Sequence, residues 1–188
     1  MDSIDLEVLK AADSWIDDGQ ACELVTVVQT WGSSPRPVGA MMVIRNDGHV
    51  IGSVSGGCIE DDLIARVRDA GITRAMPERV TYGISADEAH RFGLPCGGTI
   101  KLAIEPLSGK SGIKQLLAHV VRHELVKRQL DLVSGEVRLS PATADAALDL
   151  TFGVLSTIHG PRWRLLIIGA GQLSQFLAQI ATGLDYHV

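Results

Sequence analysis

The sequence predicts an α/β fold: a mixed α/β domain over most of the chain, followed by the opening βα turn of a second domain. Three observations predict it. Apolar runs rich in β-branched residues, CELVTVVQTW at 22–31 and AMMVIR at 40–45, alternate with segments of helical spacing. Glycine-rich corners separate these runs, most densely at 53–58 and 94–98. Residues 164–188, RLLIIGAGQLSQFLAQIATGLDYHV, read as strand, glycine turn, helix and the first residues of another strand.

Taken in order, residues 5–18 form a helix with Leu6, Leu9, Ala12 and Ile16 at helical spacing and Trp15 beside them; Asp5 caps its start and Gly19 its end. The run 22–31 is a strand covered on both faces. GSSPRPVG at 32–39 is a loop. AMMVIR and HVIGSV flank Asn46-Asp47-Gly48, the signal of a hairpin. A helix follows Gly57, with Ile59, Leu63, Val67 and Ala70 on one face, Asp62 and Arg66 as an i,i+4 pair, and Gly71 as its end. RVTYGI is a strand, and SADEAHRF a short helix capped by Ser85 with Glu88 completing a capping box. TIKLAIE alternates: Ile100, Leu102 and Ile104 face inward, Lys101 and Glu105 outward. A long helix spans 111–129, LVSGEVRL is a hairpin, the alanine-rich 142–149 reads as helix, and FGVLSTI as strand. Domain boundaries are expected at 1–140, with a linker at 141–163 and the second domain opening at 164–188.

Bulk composition narrows the function. The chain has 188 residues, 46% hydrophobic and 21% charged, ordinary for a soluble globular protein. A net charge of −5 and an aromatic content of 4% argue against nucleic acid or an anionic membrane as partner. The N-terminus, MDSIDLEV, has acids where a secretion signal needs bases and an apolar run, and no stretch approaches the roughly 18 apolar residues of a membrane span. Three widely spaced cysteines, Cys22, Cys58 and Cys96, make neither a disulfide framework nor a zinc-ligand pattern. The expectation is a cytoplasmic protein with reduced thiols.

The chemistry concentrates in SVSGGCIEDD at 53–62 and LPCGG at 94–98, mirror-image corners that each place a thiol beside two glycines. Cys58 opens a helix, where unpaired N–H groups and the dipole favour a thiolate, while Glu60, Asp61 and Asp62 oppose it by like charge. The acids have their own structural reason: with Gly57 as N-cap, Glu60 falls at N3 and reaches back to a free N–H. Flanking glycines at 56, 57, 97 and 98 let backbone N–H groups converge into an anion-binding concavity. Ser33, Ser34 and Arg36 lie in a loop stiffened by two prolines, which suits a fixed guanidinium fork for phosphate or carboxylate. Cys22 opens an apolar strand and belongs to the core. His119 and His123 have i,i+4 spacing but lack the glutamate of the helical zinc motif.

In GAGQLS at 169–174, Gly169 and Gly171 match the first two glycines of a Rossmann-like dinucleotide turn, and Ser174 stands where the third would be. The ribose-binding acid expected about 20 residues after the first glycine would fall just past Val188, so the second domain is expected to be incomplete in this chain.

The ordered blocks TWGSSPRPVGAMM, SVSGGCIEDDL, GLPCGGTIKLAIE and LLIIGAG resemble the XdhC/CoxI family, accessory proteins of xanthine dehydrogenase-type molybdoenzymes. The resemblance covers residues 5–107 and resumes at 164–188; residues 108–160 carry no matching motif. It implies an XdhC-type N-terminal domain and a chaperone rather than an enzyme with its own turnover. Such a protein binds molybdenum cofactor transiently, supports its sulfuration together with a cysteine desulfurase, and delivers it to a xanthine dehydrogenase-type apo-enzyme. Thiols are soft ligands suited to molybdenum or to carrying sulfur. On this reading Cys58 and Cys96 are the sulfur or metal contacts, and Ser34, Arg36, Gly56, Gly57, Gly97 and Gly98 form the cradle. Gly169 and Gly171 serve a nucleotide, with NAD(P) as a candidate, and a homodimer is expected. Two alternatives stay open: an NAD(P)-dependent oxidoreductase whose N-terminal domain caps the substrate, and a cofactor-free docking scaffold.

Overall fold

The ten-residue run at 22–31 sets the architecture, because every apolar side chain on it needs cover on one face or the other. In the computed structural model, which describes residues 4–32, 36–83, 98–143, 148–160, 163–184 and 186–188, this run is strand β1 (Cys22–Trp31), the centre of a sheet. It pairs antiparallel with β2 (Met41–Arg45) on one side and β5 (Thr99–Pro106) on the other. The short β3 (Val50–Gly52) and β4 (Glu78–Tyr82) complete a five-stranded order β3-β2-β1-β5-β4. β2 and β3 are the hairpin expected around Asn46-Asp47-Gly48.

Helix α2 (Cys58–Ala70) covers one face, packing Ile59, Leu63 and Val67 against Val25, Val27, Met42, Ile44 and Leu102. Ala70, expected on that face, is exposed. Each fully buried aliphatic side chain there contributes about 1.5–3 kcal/mol. Helices α1 (Ile4–Asp17) and α3 (Ile113–Val121) cover part of the other face with Val8, Leu9, Ala12, Trp15, Ile113 and Leu116. Asp5, expected to cap α1, sits inside its first turn, where a carboxylate still meets the positive helix end.

A second sheet finishes that face. It comprises β6 (Val126–Asp131), β7 (Val137–Pro141), β8 (Asp149–Thr151) and β9 (Val154–His159), antiparallel in the order β7-β6-β9-β8. Val28 and Ala103 of the first sheet pack on its Leu130 and Leu155. Three expectations change here. The helix expected over 111–129 ends at Val121, and its second half is β6, whose Val126, Arg128 and Leu130 alternate inward. The end is a C-terminal corner in which His123 N–H donates to the Val120 carbonyl and Glu124 N–H to the His119 carbonyl, with His123 left-handed at φ 58°. Glu105, expected to face solvent, is buried and meets Arg128 at 2.6 Å; Arg128 also donates to the Ser111 carbonyl. Residues 141–163, expected as a linker, hold β8 and β9.

The chain closes with β10 (Trp163–Arg164), α4 (Gln172–Gly183) and β11 (Tyr186–His187), β10 and β11 being parallel. The order strand, helix, strand is as expected, but the first strand is only Trp163–Arg164, and the apolar run Leu165–Ile168 before the turn is not strand. Among the described residues the molecule is thus α/β, with two antiparallel sheets and four helices. Among the described residues no helix is long and apolar enough to cross a membrane. The short helix expected at 85–92 lies outside the described residues.

Candidate functional site

Sheet register brings three loops to one end of the first sheet. β1 runs past the start of β2, and its last residue, Trp31, pairs with Thr99, the first of β5. The next residues, Gly32 and Gly98, face each other so closely that a Cβ on Gly32 would lie 3.2 Å from Gly98 Cα. Tyr82 at the end of β4 pairs with Ile100. Gly83 and Gly98, which flank positions 84–97, therefore both lie at this end. β3 leaves the sheet here too, since Met42 pairs with Gly52 and Ser53 N–H donates to the Met41 carbonyl. Only glycine fits at 52: its φ is +90°, and a Cβ would clash with the Met41 carbonyl oxygen. So Gly32, the 36–40 segment, the 53–57 corner, Gly83 and Gly98 converge.

The 53–57 corner is organised by Glu60. Its Oε1 accepts the N–H groups of Val54 (2.9 Å), Ser55 (2.7 Å) and Gly56 (2.9 Å) and the Ser53 hydroxyl (2.8 Å). Oε2 accepts the Gly57 N–H at 2.9 Å and the Ser55 hydroxyl. Burial pushes the Glu60 carboxyl up, but bonds from the Ser55 hydroxyl and the N–H groups of Ser55, Gly56 and Gly57 outweigh it and bring the pKa down to about 2. The expected capping box is present, and it is larger than expected. The Gly56 and Gly57 N–H groups, expected to face a guest, face this internal carboxylate.

The thiols divide sharply. Cys22 is in the core, and burial, with Glu23 adding to it, pushes its pKa up to about 11, which makes it inert. Cys58 is the first residue of α2 and is exposed. Cys96, Gly97 and Ser34 lie outside the described residues. Arg36 is half-buried, and its Nε donates to the Ser53 carbonyl at 3.2 Å, which ties the 32–40 loop to the Cys58 corner. Asp62, one turn into α2, accepts from the Tyr82 hydroxyl at 2.7 Å and pairs with Arg66 at 2.8 Å, as the i,i+4 spacing implied. Gly169 (φ 134°) and Gly171, the N-cap of α4, belong to the separate β10–α4–β11 unit. Among the described residues no group of three His, Cys, Asp or Glu is placed to hold a metal ion.

Sequence reasoning missed a cavity of about 400 Å³ on the sheet face opposite α2. Its wall is built from α1, the 36–41 segment, the end of α3, the end of β9 and the C-terminal unit. Arg36 borders it, so one side chain belongs to both the cavity wall and the Cys58 corner. The other polar side chains on the wall include Asp5, His123, Thr157, His159 and Tyr186. They come from four elements far apart in sequence, and spacing carries no signal for such a set.

Residues 15–83 match the model of the XdhC and CoxI family. The chain is 28% identical over 192 residues to an Escherichia coli protein named molybdenum cofactor insertion chaperone PaoD, covering 96% of this chain and 56% of that protein. It is 30% identical over 98 residues to a Bacillus subtilis protein named as a probable xanthine dehydrogenase component, covering 51% of this chain and 29% of that protein. A crystal structure described as a xanthine dehydrogenase from Bacillus halodurans shares the fold, with a TM-score of 0.71 and 24% identity over 99% of this chain and 61% of that one. The chain thus spans less than two thirds of each of these proteins. The stretch that matches this family's model, 15–83, holds β1 to β4, the 32–40 loop and the whole Cys58 corner.

Proposed function

We propose that this chain is part of an accessory protein that binds molybdenum cofactor as cargo and hands it to a xanthine dehydrogenase-type molybdoenzyme. It performs no turnover of its own. The observation that carries this reading is the convergence of Gly32, the 36–40 segment, the 53–57 corner, Gly83 and Gly98 at one end of the first sheet, within or adjoining the family-matched stretch. Arg36 lies in the 36–40 segment, Cys58 directly follows the 53–57 corner, and Cys96 belongs in sequence to the segment between Gly83 and Gly98. The donor set fits such a cargo. An exposed thiol at Cys58 is a soft ligand for molybdenum or a carrier of sulfur. A guanidinium at Arg36 suits the phosphate of the organic part. A cavity of about 400 Å³ lies within the range, roughly 300–1,000 Å³, of small-molecule sites.

On this proposal Cys58 and Cys96 contact metal or sulfur, while Ser34, Arg36, Gly97 and Gly98 shape the seat. Gly56 and Gly57 act indirectly, by fixing the corner through Glu60. A cysteine desulfurase supplies sulfur in the cytoplasm, the carrier acts as a homodimer, and residues 164–188 open a second domain. The test is to incubate full-length protein with released molybdenum cofactor without oxygen, desalt it and measure molybdenum. Wild type retains the metal and the Cys58→Ala/Cys96→Ala variant loses it. Equal retention by the double variant would remove the site, and no retention by wild type would remove the function.

A second reading, NAD(P) binding, draws on the β10–α4–β11 crossover with Gly169 at positive φ and Gly171 as N-cap. Calorimetry of the full-length protein with NAD(P) decides it: no heat of binding ends the idea.

A further inference from the structure

We propose that the small void between the two sheets, where Arg128 meets Glu105, is a binding site for one internal water molecule. The site and the cargo reading stand or fall separately.

Where two sheets face each other, strand alternation calls for an apolar layer. Here four strands break that rule around one space. β1 brings Thr26, β5 Glu105, β6 Arg128 and β9 Thr157, and all four line the same void. Register accounts for the grouping. Arg128 lies directly opposite Thr157 in the second sheet. In the first sheet Glu105 is opposite Leu24 and Ala103 is opposite Thr26, which makes Thr26 and Glu105 diagonal neighbours. None of the four is more than 8% exposed.

Buried polar atoms need partners, and most of these have one. Glu105 accepts from Arg128 Nη2 at 2.6 Å, and Nη2 also donates to the Ser111 carbonyl at 2.9 Å. The Thr157 hydroxyl lies 2.8 Å from His159 Nε2. Arg128 Nε is left over: it is buried and has no hydrogen-bond partner among the described residues. The void that Arg128 lines gives the centre of a water-sized sphere about 10 Å³, room for one molecule and no more.

Charge selects the kind of molecule. The wall carries one guanidinium and one carboxylate. An anion drawn by Arg128 would meet Glu105, and a cation drawn by Glu105 would meet Arg128, in a setting that screens neither repulsion. A neutral molecule that both accepts and donates meets no such conflict. It accepts from Arg128 Nε and donates to the Glu105 carboxylate or a threonine oxygen, the two to four bonds usual for a buried water. Met41, Thr157 and His159 also border the cavity of about 400 Å³, which supplies the route in and out. Once bound, the water completes a polar seam that joins β6 and β9 to β1 and β5.

The test is a high-resolution crystal structure of the full-length protein, with a second crystal soaked in sodium bromide. The expected result is one ordered peak within about 3.2 Å of Arg128 Nε and of a second polar atom from Thr26, Glu105 or Thr157. Bromide gives no anomalous signal there. The Arg128→Met/Glu105→Met variant removes both charges at similar volume and loses the peak. In solution, oxygen-17 relaxation dispersion then counts one long-lived water fewer than in wild type. A wild-type void without the peak, or a protein group found as the partner of Arg128 Nε, overturns the site. A bromide signal overturns the choice of a neutral ligand, and a peak that persists in the double variant overturns the role of the ion pair. Should that variant fail to fold, the wild-type density and the bromide soak decide alone. Neither measurement depends on cargo binding.

Discussion

Two helices of nearly equal length start in the same way and end up in opposite circumstances. α2 and α4 are both amphipathic, and both have a glycine N-cap, Gly57 and Gly171. At α2 the corner is closed from within: Glu60 gathers four consecutive N–H groups and two hydroxyls. At α4 the first turn has no acid, and no side chain caps it. The apolar faces differ as well. Ile59, Leu63 and Val67 of α2 are buried against the sheet, whereas Leu173, Phe176 and Ile180 of α4 are more than half exposed. A glycine-capped helix start is therefore a generic device. What it does depends on whether the chain supplies its own anion and its own apolar partner.

The largest expected effect breaks the comparison at its stronger end. Glu60→Ala leaves four buried or half-buried N–H groups without their acceptor and should cost about 4 kcal/mol in urea unfolding. A loss under about 1 kcal/mol would mean that the corner stands without its carboxylate. Next comes pH. The folded pKa of Glu60 is about 2, below the ordinary value of 4.5, so its stabilisation is complete above about pH 4.5 and is lost as pH falls toward 2. A titration of stability should show roughly 3 kcal/mol disappearing across that window, and the window should flatten in Glu60→Gln. Third, Leu63→Ala on α2 should cost about 2–3 kcal/mol, while Leu173→Ala on α4 should stay within about 0.5 kcal/mol in this 188-residue chain. Equal costs would erase the contrast. The smallest effect is Arg66→Ala, which removes an exposed partner of Asp62 and should change the unfolding free energy by about 0.3 kcal/mol.

Much of the first sheet was legible because its code is simple. A β-branched run with both faces covered, an Asn-Asp-Gly hairpin, and a helix whose apolar residues recur every three or four positions all rest on local chemistry. The N3 position of Glu60 was readable on the same grounds, but the four amides it collects were not, since they depend on how 53–57 folds back. The second sheet stayed hidden for a different reason. Its contact with the first is made in part by Glu105 and Arg128, charged residues that any hydropathy pattern assigns to solvent, yet here they satisfy each other at 2.6 Å. Paired burial adds a second covered face to β5, with Ala103 and Glu105 buried beside Ile100, Leu102 and Ile104, and it disguises β6, so the helix of α3 reads as continuing to 129. The candidate site divides along the same line. Arg36 and Cys58 stood out as residue types in glycine and proline settings, whereas the cavity wall is assembled by tertiary structure from Asp5 to Tyr186.

The tied-off corner before α2 has a consequence for how anything could be received there. Because the protein's own carboxylate has already set the path of the chain through the two glycines, the backbone that carries Cys58 is in place before a visitor arrives. Capture then asks no ordering of that loop, and the entropy that a floppy loop would forfeit on contact is spent once, during folding.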